Sequence, residues 1–352
     1  VVTETKRKAR IASIATAVPG AMDQQALWDG FFSKHYAGSP LAQRIWASSG
    51  VTTRHGAVHP LEEDVSTWGT GRRMERYVAE AMPLGKDAVS AALADAGITA
   101  DQVGLFGVVS CTGYATPGLD ILLARDLGMR DDVQRLFVGH MGCYAAIPGL
   151  AAVSDAVVAR GLTAVLLCVE VTSVHVQPAT DEAQQMVAHA LFSDAATAVV
   201  VSPVTPGLEV IDVVARTDVS HHTDMTWDVT DLGFRMGLSP RVPDVLAKHV
   251  RDVVDDLLAR HGLAIPDVSA WAVHPGGPRI LDVCVDKLGL DESAVQASRD
   301  TLRDYGNCSS PTVLIALDEV CRRRMPQAGE HVVALAFGPG LTLYGTLLRA
   351  TA

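Results

Sequence analysis

Aromatic side chains are scarce in this chain, and positive charge is in deficit. Phe, Trp and Tyr make up 5% of the 352 residues, and 29 lysines and arginines face 40 aspartates and glutamates, a formal net charge of −11 at pH 7. Non-specific nucleic-acid binding needs basic patches, so this balance argues against that class of function, though local basic spots could still hold a phosphorylated cofactor. The six cysteines (Cys111, Cys143, Cys168, Cys284, Cys308 and Cys321) contain no CxxC pair, and no His/Cys cluster has zinc-ligand spacing. The apolar stretches Met82–Ile98 and Val157–Thr172 are broken by Lys86, Asp87, Asp95, Arg160 and Glu170, which argues against a membrane span. Val1 to Arg10 is basic and polar with no apolar signal core behind it. No metal, flavin or nicotinamide site is indicated; Gly338-Pro339-Gly340 has the look of a phosphate loop, but it lies between strand-like runs and lacks the following helix.

What is present reads as a compact α/β protein. Hydrophobic residues reach 48% and charged residues 20%, enough apolar surface in a chain of this length for a large core or two fused domains. Most of the cysteines sit in apolar or small-residue runs, which predicts reduced thiols in a cytoplasm. Ile11–Thr16 reads as a first strand, and a helix is expected over Leu84–Ala96, after Pro83. Val103–Val109, Thr163–Val169 and Ala195–Val201 carry no charge, the pattern of strands buried on both faces. A helix is expected over Ile147–Arg160. After Pro203–Gly207 the order begins again: a strand at Leu208–Ala215, a helix at Val242–His261, a strand at Ala270–Val273, a helix at Ser310–Arg324, and strands at Val332–Phe337 and Leu341–Leu348. Two halves of similar order are therefore expected, 1–203 and 207–352, with the seam at Pro203–Gly207.

Three short segments carry chemistry. Cys143, in Gly142-Cys143-Tyr144, precedes a predicted helix, where the positive end of the helix dipole favours a thiolate. His274 ends a short strand and enters Pro275-Gly276-Gly277-Pro278, which presents an imidazole at a strand end, where open α/β folds place their sites. Asn307 lies between Gly306 and Cys308-Ser309-Ser310. A neutral amide beside a neutral imidazole can stabilise an enolate, whereas an acid there would oppose it. Each residue alone also has an ordinary reading: a core thiol, a loop histidine, a turn asparagine. Together and in this order they suit a carbon–carbon bond-forming acyl transferase, in which the thiol holds an acyl group while a malonyl unit loses carbon dioxide.

These residues, with Ile14–Pro19, Ser110–Gly118, Ala190–Ala196 and Phe337–Thr342, resemble the type III polyketide synthases, relatives of chalcone synthase, over nearly the whole chain. The resemblance implies a thiolase-like α/β fold of two similar αβαβα halves forming a five-layered core. It implies coenzyme A thioesters as substrates (an acyl-CoA starter and malonyl-CoA) and no cofactor. Cys143 becomes the nucleophile, His274 its ion-pair partner, and His274 with Asn307 the enolate site. Phe192 matches one gatekeeper of the cavity and Met236 a second, commonly phenylalanine. Trp227 falls where plant enzymes have glycine. Cys111 and His175 fall at starter-pocket threonines, Thr172 and Ser309 keep a small polar lining, and Gly338, Pro339 and Gly340 match the loop shaping the cyclisation pocket. Family members are homodimers, and Thr116 falls at the loop position that crosses into the partner's cavity. Of the basic coenzyme A clamp Arg44 is retained, with Leu41 and Ser48 at neighbouring clamp positions. The expected reaction is iterative condensation followed by cyclisation to a pyrone, resorcinol or polyhydroxy aromatic. Two alternatives stand beside it: a β-ketoacyl-acyl-carrier-protein synthase III-like enzyme working with acyl carrier protein, and acyl transfer without elongation.

Overall fold

The computed structural model describes residues 7–352, so Val1–Lys6, at the head of the expected first half, lie outside the described residues. Strand β1 (Arg10–Ala17) is followed by a small antiparallel pair, β2 (Ala21–Asp23) and β3 (Thr53–His55). This pair brackets α1 (Gln24–Leu27), α2 (Ser33–His35) and α3 (Pro40–Ala47). Next come α4 (Thr70–Ala96), β4 (Val103–Ser110), α5 (Leu119–Asp126), β5 (Gln134–Gly139), α6 (Ala146–Arg160), β6 (Thr163–Glu170), α7 (Ala183–Leu191) and β7 (Ala195–Ser202). The chain continues through β8 (Leu208–Thr217), the hairpin β9 (Met225–Thr230) and β10 (Gly233–Leu238), α8 (Val242–Ala259), β11 (Val268–Val273) and α9 (Pro278–Leu288). It closes with α10 (Gln296–Tyr305), α11 (Pro311–Arg323), β12 (His331–Gly338) and β13 (Thr342–Ala350).

Nine strands form one sheet in the order β11-β12-β13-β8-β1-β7-β6-β4-β5. Its two sides repeat one pattern. β6 is parallel to β4 and antiparallel to β7, which is antiparallel to β1. In the same way β12 is parallel to β11 and antiparallel to β13, which is antiparallel to β8. The two sides join through β1 and β8, with Arg10 opposite Glu209 and Ile11 opposite Leu208. β5 has no counterpart and forms a free edge.

Side-chain alternation along the strands builds the layers. On β6, Leu166 faces a central core containing Leu150 and Val153 of α6 and Leu314 and Leu317 of α11. Its neighbours Val165 and Leu167 face the opposite way, onto Tyr77, Ala88 and Val89 of α4. On β12, Val332 and Ala334 join the central core, while Val333 and Leu335 meet Val250, Val254 and Leu257 of α8. Helix, sheet, paired helices, sheet and helix make the five layers of a thiolase-like fold. Burial on both faces is the reason these strands carry no charge, and each fully buried Val or Leu contributes roughly 1.5–3 kcal/mol.

Two departures from the sequence reading bear on the site. Helix α4 begins at Thr70 and runs through Pro83 instead of starting after it. An interior proline costs about 3 kcal/mol, and α4 offsets this by burying Tyr77, Ala81, Leu84, Ala88 and Ala92 against the sheet. Its first turn is anchored by Arg73, fully buried, whose guanidinium donates to the carbonyls of Ser66 (3.1 Å), Trp68 (2.7 Å), Val174 (2.5 Å) and Val176 (3.0 Å). The β9–β10 hairpin has no counterpart in the sequence reading. It makes Trp227 and Met236 direct cross-strand partners.

Candidate active site

Cys143 sits in a single 3-10 turn, Gly142–Tyr144, between edge strand β5 and α6. Gly142 has φ of +72°, and a Cβ there would lie 2.8 Å from Cδ of Pro339, so the turn demands glycine on both counts. The thiol is 5% exposed. Burial pushes it up to about 11, against hydrogen bonding from Ser309 and Asn307 that favours the thiolate.

His274 leaves the C-terminal end of β11, its N–H donating to the carbonyl of Leu335 at 2.8 Å. The ring is buried, and desolvation alone lowers it to about 3. Its Nδ1 has no hydrogen-bond partner among the described residues, so no neighbouring group pins the tautomer. Each group by itself is neutral, and the ion pair expected from sequence would have to form against two desolvation penalties.

Asn307 follows α10 through Gly306, whose φ is +72° and whose Cβ would meet the carbonyl oxygen of Leu191 at 2.9 Å. The segment is stitched to the end of α7: Asn307 N–H donates to Leu191 O at 2.8 Å, and Ser193 N–H donates to Asn307 O at 3.0 Å. Asn307 Oδ1 accepts from Ser309 N–H at 2.9 Å, which leaves the amide NH2 as the group available to Cys143.

Cys143, His274, Asn307, Phe192 and Met236 line a cavity of about 430 Å³. Beyond the thiol the space nearly closes. A lobe of about 20 Å³ is bounded by Cys111, Thr172, Trp227, Ser309 and Pro339 together with Cys143, Phe192 and Met236. A third space of about 60 Å³ lies behind Thr172, His175, Phe192, Trp227 and Met236. Gly338 packs behind Cys143 instead, where a Cβ would touch the Tyr144 ring at 2.7 Å. Gly340, Thr116 and Arg44 line none of these spaces. Arg44 is exposed on α3, one turn before the lining residue Ser48.

The dividing wall is rigid. Trp227 Nε1–H donates to Cys111 O at 2.8 Å and meets the His175 ring edge-on at 5.4 Å. His175 stacks on Phe234 at 4.7 Å, accepts Phe234 N–H at Nδ1, and so donates from Nε2 to Thr112 O at 2.6 Å. Trp227→Gly should join the lobe to the space behind it and shift product profiles toward longer starters, at about 3–5 kcal/mol of stability. Product mass spectra across starters of increasing length test this, and an unchanged length preference would refute it.

Glu170, fully buried at the end of β6, was not singled out as a site residue from sequence. It accepts from Ser310 Oγ (2.6 Å), Thr112 Oγ1 (2.7 Å), the N–H groups of Cys111 (3.0 Å) and Thr112 (3.1 Å), and Ser110 Oγ (3.2 Å). Burial still raises its carboxyl above the ordinary range. Cys111 Sγ and Ser309 Oγ, 3.6 Å apart, continue the chain of contacts toward Cys143. The available cue was a lone acid closing an otherwise uncharged strand.

The buried histidines make stability depend on pH. Desolvation lowers His175, His189 and His274 to about 3 from 6.5. Between those values the unfolded chain binds protons that the folded chain does not, so stability falls as pH drops below about 6.5. Glu170 and Asp194, raised by burial, act in the opposite sense as pH falls through their raised values. Each histidine contributes on the order of 1 kcal/mol per pH unit, so the melting temperature should fall by several degrees between pH 7 and pH 5. A melting temperature flat over that interval would contradict the assignment.

The N-terminal domain of the chalcone and stilbene synthases matches residues 2–204, and the C-terminal domain of the same family matches 213–352. The chain belongs to the chalcone and stilbene synthase family. It is a type III polyketide synthase, an enzyme of the acyltransferase type. It is 35% identical to 1,3,6,8-tetrahydroxynaphthalene synthase of Streptomyces peucetius subsp. caesius, over 97% of this chain and 93% of the relative. It is 34% identical to the alpha-pyrone synthesis polyketide synthase-like Pks18 of Mycobacterium tuberculosis, over 86% of this chain and 81% of the relative. Among solved structures, PKS-I of the brown alga Ectocarpus siliculosus superposes with a TM-score of 0.91 at 29% identity, covering 99% of this chain and 100% of that one. The C-terminal type III polyketide synthase domain of Steely1 from Dictyostelium superposes with the same score at 26% identity, covering 98% and 100%.

In this synthase no group of three or more His, Cys, Asp or Glu residues that could hold a metal occurs among the described residues. One stretch, Gly142–Arg160, is long and apolar enough by composition to cross a membrane; it comprises the Gly142–Tyr144 turn and α6, and α6 is packed in the central core between the two sides of the sheet.

Proposed function

We propose that this synthase loads an acyl group from an acyl-CoA starter onto Cys143, extends it iteratively with malonyl-CoA, and cyclises the chain to a pyrone, resorcinol or polyhydroxy aromatic. The observation that carries the reading is the meeting of Cys143, His274 and Asn307 at one end of a largely apolar cavity. In loading, the thiol sulfur bonds to the acyl carbon, and His274 passes the thiol proton to the departing CoA thiolate. The neutral ring with an unpinned tautomer suits both accepting and donating at Nε2. In extension, malonyl-CoA loses carbon dioxide, and the electron pair of the broken bond moves onto the thioester oxygen as an enolate. His274 and Asn307 donate hydrogen bonds to that oxygen. The enolate carbon then attacks the Cys143 thioester, and the cysteine thiolate leaves.

Phe192 and Met236 would gate the passage, and Cys111, Thr172, Trp227, Ser309 and Pro339 would limit chain length. With about 20 Å³ beyond the thiol, small or early-cyclising intermediates fit best. No cofactor beyond the CoA substrates enters these steps. We also propose a homodimer formed along β5, supported by its free edge and by exposed Phe137, Tyr114 and Ile121 beside it; Thr116 lies in the same exposed loop as Tyr114. Pro203–Gly207 is the proposed seam between the halves, and the unpaired thiols favour a cytoplasmic enzyme. Incubating the protein with labelled malonyl-CoA and a panel of acyl-CoA starters, followed by mass spectrometry, tests the reading. Starter-dependent polyketides are expected; acyl-Cys143 without extension would refute it.

A further inference from the structure

The catalytic cavity reaches the surface between α3, α7 and the N-terminal ends of α8 and α9, and its walls are almost uncharged. Among the described residues lining it, Arg279 alone carries a permanent charge. Its side chain is 68% exposed, and its recorded ion-pair partner, Asp244, is 4.0 Å away and 72% exposed. Such a contact contributes little and leaves the guanidinium available. Arg241, which also flanks the mouth, is committed elsewhere: it binds Asp224, 3% exposed, at 2.7 Å. Arg279 stands in the first turn of α9, after Gly277 and Pro278, with no side chain capping that turn. The dipole of the 11-residue helix therefore adds positive potential on the same side.

A polyanionic thioester carrier needs such a group here. The chain's net charge of −11 repels it at long range. The basic clamp expected around α3 is reduced to Arg44, with Leu41 and Ser48 beside it, and Arg44 does not line the cavity. We propose that Arg279 is the phosphate contact of the thioester carrier, moved from α3 to the opposite wall of the entrance. Its guanidinium pairs with phosphate oxygens while the pantetheine arm runs inward to Cys143. This rests on the reading of the chain as a thioester-consuming synthase. The same phosphate chemistry occurs in free coenzyme A and in the phosphopantetheine of a carrier protein, and the donors below separate the two.

The test measures steady-state kinetics of the wild type, Arg279→Ala, Arg279→Lys and Arg279→Glu with malonyl-CoA, malonyl carrier protein and malonyl-pantetheine, which has no phosphate. Arg279→Ala should raise KM for malonyl-CoA about tenfold with kcat held within twofold, the loss of one charge-assisted contact. Arg279→Glu should raise it further, Arg279→Lys should recover most of it, and KM for malonyl-pantetheine should move less than twofold. A penalty confined to malonyl carrier protein would keep the phosphate contact and assign it to that carrier. A KM change under twofold with both phosphate-bearing donors, or an equal loss with malonyl-pantetheine, overturns the proposal. Wild-type protein that extends a starter with none of the three donors would instead overturn the synthase reading.

Discussion

Cys143→Ala is expected to lower polyketide formation by at least about a thousandfold while the protein stays folded. In the proposed mechanism the sulfur is the covalent acyl carrier, and without it the starter and enolate must meet as two free ligands in one cavity. The substitution removes one atom at the surface of an existing cavity, so its cost to stability is small. Decarboxylation of malonyl-CoA should persist in this variant, because the proposed enolate donors, His274 and Asn307, remain. Product mass spectrometry and release of labelled carbon dioxide read the two steps separately. Polyketide output within tenfold of the wild type would remove Cys143 from the mechanism.

Asn307→Asp tests the other half of the chemistry with almost no change of shape. An aspartate oxygen can still accept Ser309 N–H, and the backbone bonds to Leu191 and Ser193 do not involve the side chain. What changes is the group facing the thiol, from a donor to an anion beside a developing enolate. Loss of one such donor costs roughly 10²–10³ in rate, and the added charge should place the effect at or above the upper end of that range. The carboxylate also repels the thiolate and raises the Cys143 pKa further, so loading slows as well, though less than extension. Single-turnover acylation by a starter should remain visible by intact-protein mass spectrometry when carbon dioxide release has collapsed. Carbon dioxide release within threefold of the wild type would show that the amide does not serve the enolate.

Much of the proposed site is legible in the sequence. Cys143, His274 and Asn307 each stand where a strand or helix begins or ends, and the glycines beside two of them mark turns that a side chain would block. The uncharged runs from Val103, Thr163 and Ala195 announced strands covered on both faces, which is the condition for a layered core. Local reasoning failed where distant contacts outweighed local preference. Pro83 reads as a helix boundary, yet α4 passes through it because a long face of the helix is buried. Trp227 and Met236 are nine residues apart in two short alternating runs, Met225–Thr230 and Gly233–Leu238, and hairpin pairing sets them side by side. Nothing in the local sequence distinguishes Arg279, and only the assembled cavity places it in the wall.

The sequence by itself determined the layered α/β fold, the three residues of the proposed chemistry, and the absence of zinc-ligand cysteine spacing. These follow from hydrophobic pattern and residue type, which act over a few neighbours. Tertiary structure alone decided which groups face the cavity, how little room lies beyond Cys143, and that thiol and imidazole are each driven toward neutrality. Those properties depend on desolvation and packing between segments more than a hundred residues apart. Both are set by the volume the assembled layers leave empty, and no local pattern encodes that volume.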